Sequence, residues 1–259
     1  MRYETVDKTS AAFIARHFGQ QGRAWLATVP RAVQALTERW ELGIAEPLHG
    51  GLLSCVFGVV LGSGERAVLK ISGPWVRAND EAEALRAWNG VGAPRLLAWD
   101  PDQRALLLEA IRPGGHAADA TATQLAALLR RLHIPPPPNL RPLAELVRER
   151  LDQAAEEGRS NTRRIAWARA TAARLDRETP DQVMLHGDLD DRNLLRCGRR
   201  GLCAIDPLPC VGDPAYDAGY WVHSYGQKGR RARLDAIVEA TGLPHARVRD
   251  WAAIVGVHG

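Results

Sequence analysis

An α+β fold in two parts, a β-containing N-terminal half followed by a mostly helical C-terminal half, is predicted by three observations. Two β-rich runs, at 52–61 and 66–71, flank the turn Gly62-Ser63-Gly64-Glu65, a good hairpin signal. Three stretches at 122–133, 141–157 and 161–178 read as helices. Between these two kinds of segment stands Pro113-Gly114-Gly115, a hinge or boundary that divides the chain into 1–113 and 114–259.

Each element follows in order. Residues 10–42 read as helical, with a break at Pro30 and amphipathic spacing through Val33, Leu36 and Trp40. After the hairpin, NDEAEALRAW at 79–88 returns to helix, and NGVGAP stops it. Two short strands around 95–99 and 104–109 flank the turn DPDQ. In the C-terminal half, four prolines at 135–138 form a stiff connector between the first two helices. HGDLDDRNLL at 186–195 and AIDP at 204–207 are short-stranded and loop-rich, and helices resume near 214–224, 230–240 and 244–254.

Composition bounds the function classes. A chain of 259 residues with 46% hydrophobic residues can bury a real core as one large domain or two modest lobes. No stretch of eighteen apolar residues occurs, and the N-terminus MRYETVDKTS lacks the apolar region of a secretory signal, so a soluble cytoplasmic protein without a membrane partner is expected. Cys55, Cys197, Cys203 and Cys210 are too irregularly spaced for a disulfide framework or a zinc site, and read as buried free thiols. The formal charge of +4 is spread along the chain without a basic block interleaved with aromatics, which argues against nucleic acid as the main ligand. Of 34 basic residues only three are lysines, so Lys70, in the apolar run RAVLKI, invites a local partner.

The chemistry-bearing residues concentrate in the C-terminal half. Asp188 precedes Asn193 by five residues, and Asp206 lies thirteen beyond Asn193, at the end of an apolar stretch. One carboxamide and one carboxylate make a hard-oxygen set suited to Mg²⁺, leaving Asp188 to orient a hydroxyl and accept its proton. The alternative is that these residues only form turns and caps. His186 is a base or a structural hydrogen-bonder, and Asp190 and Asp191 supplement the site or lie at the surface. In the N-terminal half, Gly50 and Gly51 bring backbone N–H groups to phosphate or form a tight turn. Lys70 and Glu81 pair around a phosphate oxygen or as a surface ion pair.

HGDLDDRN followed by IDPLPCVGDPAYD at 205–217 resembles the catalytic and metal-binding motifs of the aminoglycoside phosphotransferases, members of the protein-kinase-like superfamily. More narrowly, WLATVP, LKI, EALRAWNGVGAPRLLAWD, LLLEAIRPGG and VGDPAYDAG are similar to the streptomycin 6-kinase and hydroxyurea kinase group, and the similarity runs from about Trp25 to Tyr225. The resemblance implies a two-lobed kinase-like fold, with an N-terminal antiparallel-sheet lobe and a mostly helical C-terminal lobe. It also implies transfer of phosphate from ATP, with Mg²⁺, to a hydroxyl of a small cationic acceptor such as streptomycin. Hydroxyurea or another small alcohol is the alternative acceptor, and an inactive binding module the alternative class.

Carried over by residue, Lys70 contacts the nucleotide phosphates and Glu81 holds that lysine, with Glu83 as its neighbouring rival. Leu108, Glu109 and Ala110 meet the adenine through backbone groups. Asp188 becomes the catalytic base and Asn193 and Asp206 the Mg²⁺ ligands; Asp213 and Asp217 support the acidic wall of the acceptor site, with a structural role as the alternative for Asp213, and Asp190 adds negative charge on the substrate side. Asp190 stands where the family usually carries a histidine. The six aspartates at 188, 190, 191, 206, 213 and 217 fall within thirty residues and are expected to attract a polycation.

Overall fold

The computed structural model describes residues 6–49, 52–179, 181–225 and 228–258; Gly50 and Gly51 therefore lie outside the described residues. The chain divides into two compact units, one of residues 1–89 and 94–110, the other of 90–93 and 111–259.

In the first unit, α1 (Lys8–His17) and α2 (Gly19–Arg39) precede an antiparallel sheet in the order β1-β2-β3-β5-β4. Its strands are β1 (Gly43–Leu48), β2 (Ser54–Val60), β3 (Arg66–Ser72), β4 (Leu96–Asp100) and β5 (Ala105–Glu109), and α3 (Ala78–Trp88) lies between β3 and β4. The β2–β3 hairpin closes as its sequence demands, with Val60 opposite Arg66 and Ser54 opposite Ser72. Alternate residues of β2 and β3, Cys55, Phe57, Val59, Ala67, Leu69 and Ile71, meet Val29, Val33 and Leu36 of α2 in one apolar core.

Two expectations are corrected here. Pro30 does not break the leading helix, because α2 runs through it and the break falls at Phe18 instead. An interior proline costs about 3 kcal/mol, but stopping at Pro30 would split the face carrying Val29, Val33 and Leu36, all buried. Gly22 then lets the two helices approach closely, since a Cβ there would sit 2.5 Å from the Ile14 carbonyl oxygen. The second correction is β1, which the sequence reading missed. It holds Gly43 and Pro47 and pairs only with β2, the edge position that tolerates proline.

The second unit is helical around two short hairpin-like ribbons. α4 (Ala122–Leu132) starts on a Thr121–Gln124 capping box, and α5 (Leu143–Glu156) and α6 (Thr162–Arg177) follow. β6 (Val183–Leu185) pairs with β9 (Cys210–Gly212), and β7 (Leu194–Arg196) pairs with β8 (Leu202–Ala204) across a 3₁₀ turn. α7 (Ala215–Ser224), α8 (Arg230–Thr241) and α9 (His245–His258) complete the unit. Gly219 brings α7 onto α9, where a Cβ would lie 2.8 Å from the Ala252 nitrogen. The four cysteines are free and buried. No helix among the described residues is long and apolar enough to cross a membrane.

Candidate active site

In the sheet unit, β3 places Lys70 between Val56 of β2 and Leu106 of β5, with its side chain only 7% exposed. A buried ammonium is costly unless paired, and α3 supplies the partner. Lys70 Nζ donates to Glu81 Oε1 at 2.7 Å and Oε2 at 2.9 Å. Glu81, rather than Glu83, is therefore the carboxylate that meets the lysine. On β5, Leu108 is buried opposite Val68, and Glu109 stands opposite Ala67. Both the Glu109 N–H and its Oε2 are engaged by the Arg95 backbone, and Ala110 is the last residue of the unit.

In the helical unit, β6 runs straight into His186-Gly187-Asp188. The turn needs glycine at 187, because φ is +78° and a Cβ would lie 2.1 Å from the Leu208 carbonyl oxygen. His186 is fully buried and structural. Its Nδ1 accepts from the Asp188 N–H at 3.3 Å, so Nε2 carries the proton and donates to the Ile205 carbonyl at 2.9 Å. Burial holds this imidazole below the usual histidine range despite the nearby carboxylates of Asp217, Asp188 and Asp206. His258 is likewise buried and held well below it, by burial and then by the charges of Arg150, His223 and Arg159.

A pH dependence of stability follows, with its sign set by those directions. Both histidines stay neutral in the folded chain at pH values where an unfolded histidine takes a proton, beginning near pH 6.5. Their contribution is therefore complete above that value and declines as pH falls toward the folded-state pKa. The slope reaches about 1.4 kcal/mol per pH unit for each histidine. Urea midpoints measured at pH 7.5 and pH 5.5 should fall on acidification, and His186→Gln should flatten the fall. Equal wild-type midpoints at the two values would contradict the assignment.

Asp188 is the centre of the unit's polar network. Its Oδ1 accepts from Arg150 Nη2 and from the Tyr220 hydroxyl, both at 2.7 Å. Its Oδ2 accepts from Asn193 Nδ2 at 3.1 Å, and the same Nδ2 also donates to the Asp188 carbonyl at 2.9 Å. Burial alone would raise this carboxyl, but Arg150 and then the Tyr220 hydroxyl outweigh it and hold it below the usual carboxylate range.

The separation between Asn193 and Asp206 in sequence is closed by the β7–β8 hairpin. Leu194 pairs with Ala204, and the Ile205 N–H then donates to the Asn193 carbonyl at 2.9 Å. Asp206 follows directly, at φ +54°, in the left-handed region that few non-glycine residues adopt. Such departures concentrate at functional sites, where the surrounding structure holds them.

The expected acidic wall is not what the remaining aspartates form. Asp217 has no exposed surface; its oxygens accept from the His186 N–H at 2.9 Å and the Gly187 N–H at 3.0 Å, and its Oδ2 lies 3.1 Å from His133 Nε2. Asp213, also buried, accepts from the Ala215 N–H, from Arg247 and from Trp251 Nε1. Asp190 is buried rather than at the surface, and accepts from the Arg192 and Asn193 N–H groups while pairing with the Arg192 guanidinium. All three hold loop backbone or bury a paired charge, because a carboxylate excluded from water must find donors inside the protein.

Sequence reasoning missed Arg150, Tyr216 and Tyr220. The tyrosines carried a usable signal, since residues four apart share a helix face and both flank Asp217 on α7. Arg150 carried none, being one of two arginines in the charged run RER on α5.

A sheet unit with a buried lysine–glutamate pair, and a helical unit with an Asp-Asn-Asp loop and hairpin, define a phosphotransferase of the protein-kinase-like class. The chain belongs to the aminoglycoside/hydroxyurea antibiotic resistance kinase family, whose pattern matches residues 39–259. It is 36% identical to the streptomycin 6-kinase of Streptomyces glaucescens, over 95% of this chain and 86% of that protein. It is 33% identical to the hydroxyurea phosphotransferase of Kitasatospora aureofaciens, over 91% of this chain and 73% of that one. A choline kinase from Streptococcus pneumoniae shares the fold, with a TM-score of 0.64 at 15% identity, covering 88% of this chain and 89% of the other.

Proposed function

We propose that the protein transfers the γ-phosphoryl group of ATP to a hydroxyl of an aminoglycoside, with streptomycin as the first candidate. The observation that carries this reading is the meeting of Asp188, Asn193 and the Ile205-Asp206 strand end in one network. Two streptomycin 6-kinases at 36% identity supply the acceptor. The parts divide the work: residues 1–113 bind nucleotide, and 114–259 carry the transfer loop and acceptor site.

The donor set fits Mg²⁺. Because Asn193 Nδ2 is committed to Asp188, its carboxamide oxygen is the atom left for a cation, and Asp206 adds a carboxylate. Two hard-oxygen ligands suffice for a metal that keeps waters and shares phosphate oxygens. When bound, the metal neutralises charge on the phosphates. Lys70, paired with Glu81, takes phosphate oxygens, and backbone groups of Leu108, Glu109 and Ala110 receive the adenine, with Gly50 and Gly51 assigned to the phosphates. Asp188 orients the acceptor hydroxyl and takes its proton as the hydroxyl oxygen bonds to phosphorus and ADP leaves. Positioning and electrostatics supply most of the rate. Use of ATP accords with a cytoplasmic location.

A second reading has a specific observation in its favour. Asp188 already has a countercharge in Arg150, and Asp190, Asp213 and Asp217 are engaged internally. That leaves less negative charge for a polycation and suits a neutral hydroxyl compound such as hydroxyurea. Mass spectrometry after incubation with Mg²⁺·ATP and a panel of streptomycin, other aminoglycosides and hydroxyurea separates the two. One added phosphate on streptomycin is the expected result; phosphate on hydroxyurea alone moves the assignment to the second reading. Transfer to no acceptor, together with failure to bind ATP, would remove both.

A further inference from the structure

The Arg150 guanidinium is held from three sides. Nη2 donates to Asp188 Oδ1 at 2.7 Å, and Nη1 donates to the Tyr216 hydroxyl at 3.1 Å. The Arg150 Cζ stands 5.1 Å from the centre of the Tyr220 ring, whose hydroxyl bonds the same Asp188 oxygen. Only 14% of the Arg150 side chain is exposed, against 24% of Asp188. Tyr216 is fixed in turn by an edge-to-face contact with Trp251 of α9, 5.2 Å between centroids. A cation fixed in this way is costly to bury for stability alone, since a well-packed apolar group of similar volume often does as well. Its geometry is that of a support for one carboxylate.

We propose that Arg150 is a positioning residue of the transfer reaction: it clamps Asp188 through Oδ1, orients Oδ2 for the acceptor hydroxyl, and sets a permanent positive charge beside the acceptor. The proposal rests on the phosphotransferase reading above. Two consequences follow. Without Arg150 the carboxylate keeps only Tyr220 on Oδ1 and Asn193 on Oδ2 and is less firmly aimed at the hydroxyl, and a misplacement of about 1 Å can cost on the order of 100-fold in rate. Without the charge, a cationic acceptor loses a repulsive neighbour, while a neutral acceptor is indifferent. Nucleotide binding is unaffected, because Lys70, Glu81 and the β5 backbone are unchanged.

The test is steady-state kinetics of wild type, Arg150→Met and Arg150→Lys with Mg²⁺·ATP and either streptomycin or hydroxyurea. Arg150→Met should lower kcat about 10- to 100-fold with every acceptor used, at unchanged KM for ATP. Its KM should fall several-fold for streptomycin and stay unmoved for hydroxyurea. Arg150→Lys keeps the charge but not the planar fork, so it should restore the streptomycin KM and only part of kcat. Wild-type kcat in Arg150→Met overturns the proposal. So does a loss of activity matched by a loss of folded protein, with KM for ATP and acceptor both unmoved and no recovery in Arg150→Lys, since that is all a merely structural arginine would give. Absence of transfer by the wild type to any acceptor, together with failure to bind ATP, overturns the phosphotransferase reading and this proposal together.

Discussion

Asp188→Ala is expected to lower turnover about 10²- to 10⁴-fold, the range for loss of general acid–base assistance, while ATP affinity is retained. The proposed role draws on a carboxylate whose position is fixed by its surroundings. Gly187 allows the turn into it, and Asn193, Arg150 and Tyr220 fix both of its oxygens. The substitution also strands the Arg150 charge, so a melting curve must accompany the assay to separate lost chemistry from lost protein. Single-turnover transfer from labelled ATP, with ATP binding followed by calorimetry, makes the comparison. Turnover equal to wild type would take the base assignment away from Asp188.

The second large effect is on stability. Asp217→Ala should destabilise the chain by about 3–5 kcal/mol, the usual cost of breaking a buried charged network, seen as a fall in melting temperature of at least about 6 °C. Asp217 has no exposed surface and accepts from the two backbone N–H groups, of His186 and Gly187, that begin the turn into Asp188. Removing it leaves those donors buried and unbonded. Asp217→Asn keeps the shape but offers only one accepting oxygen, so an intermediate loss is expected. The measurement also discriminates between roles. A residue of an acceptor wall would raise the acceptor KM in the Asn variant without moving the melting temperature, and that result would restore the acidic-wall expectation.

Much of the architecture was legible in local chemistry. The β2–β3 hairpin, α3, the β4–β5 pair and the C-terminal helices all fall where alternation, periodicity and turn residues put them. The failures were also local in form. Pro30 signals a stop, yet the helix continues because the core of the sheet unit rewards an uninterrupted apolar face. β1 was hidden by Gly43 and Pro47, residues that are poor strand formers but acceptable at an edge. Lys70 was a legible oddity, a lysine in an arginine-rich chain, and its buried partner proved to be Glu81.

By itself, then, the sequence determined the class of fold and the order of most of its elements, and it named the groups to which phosphoryl transfer is here assigned. These depend on residue type and short-range spacing, which the chain carries openly. Only the tertiary structure decided what each charge faces. Asp188 and Arg150 lie 38 residues apart, Asp213 and Arg247 lie 34, and the Asp217 carboxylate reaches back 31 residues to the His186 backbone. Six nearby aspartates read in sequence as a field of negative charge. In the folded chain at least four of them, Asp188, Asp190, Asp213 and Asp217, are tied to internal donors, because a carboxylate withdrawn from water must be paired wherever the packing brings a donor.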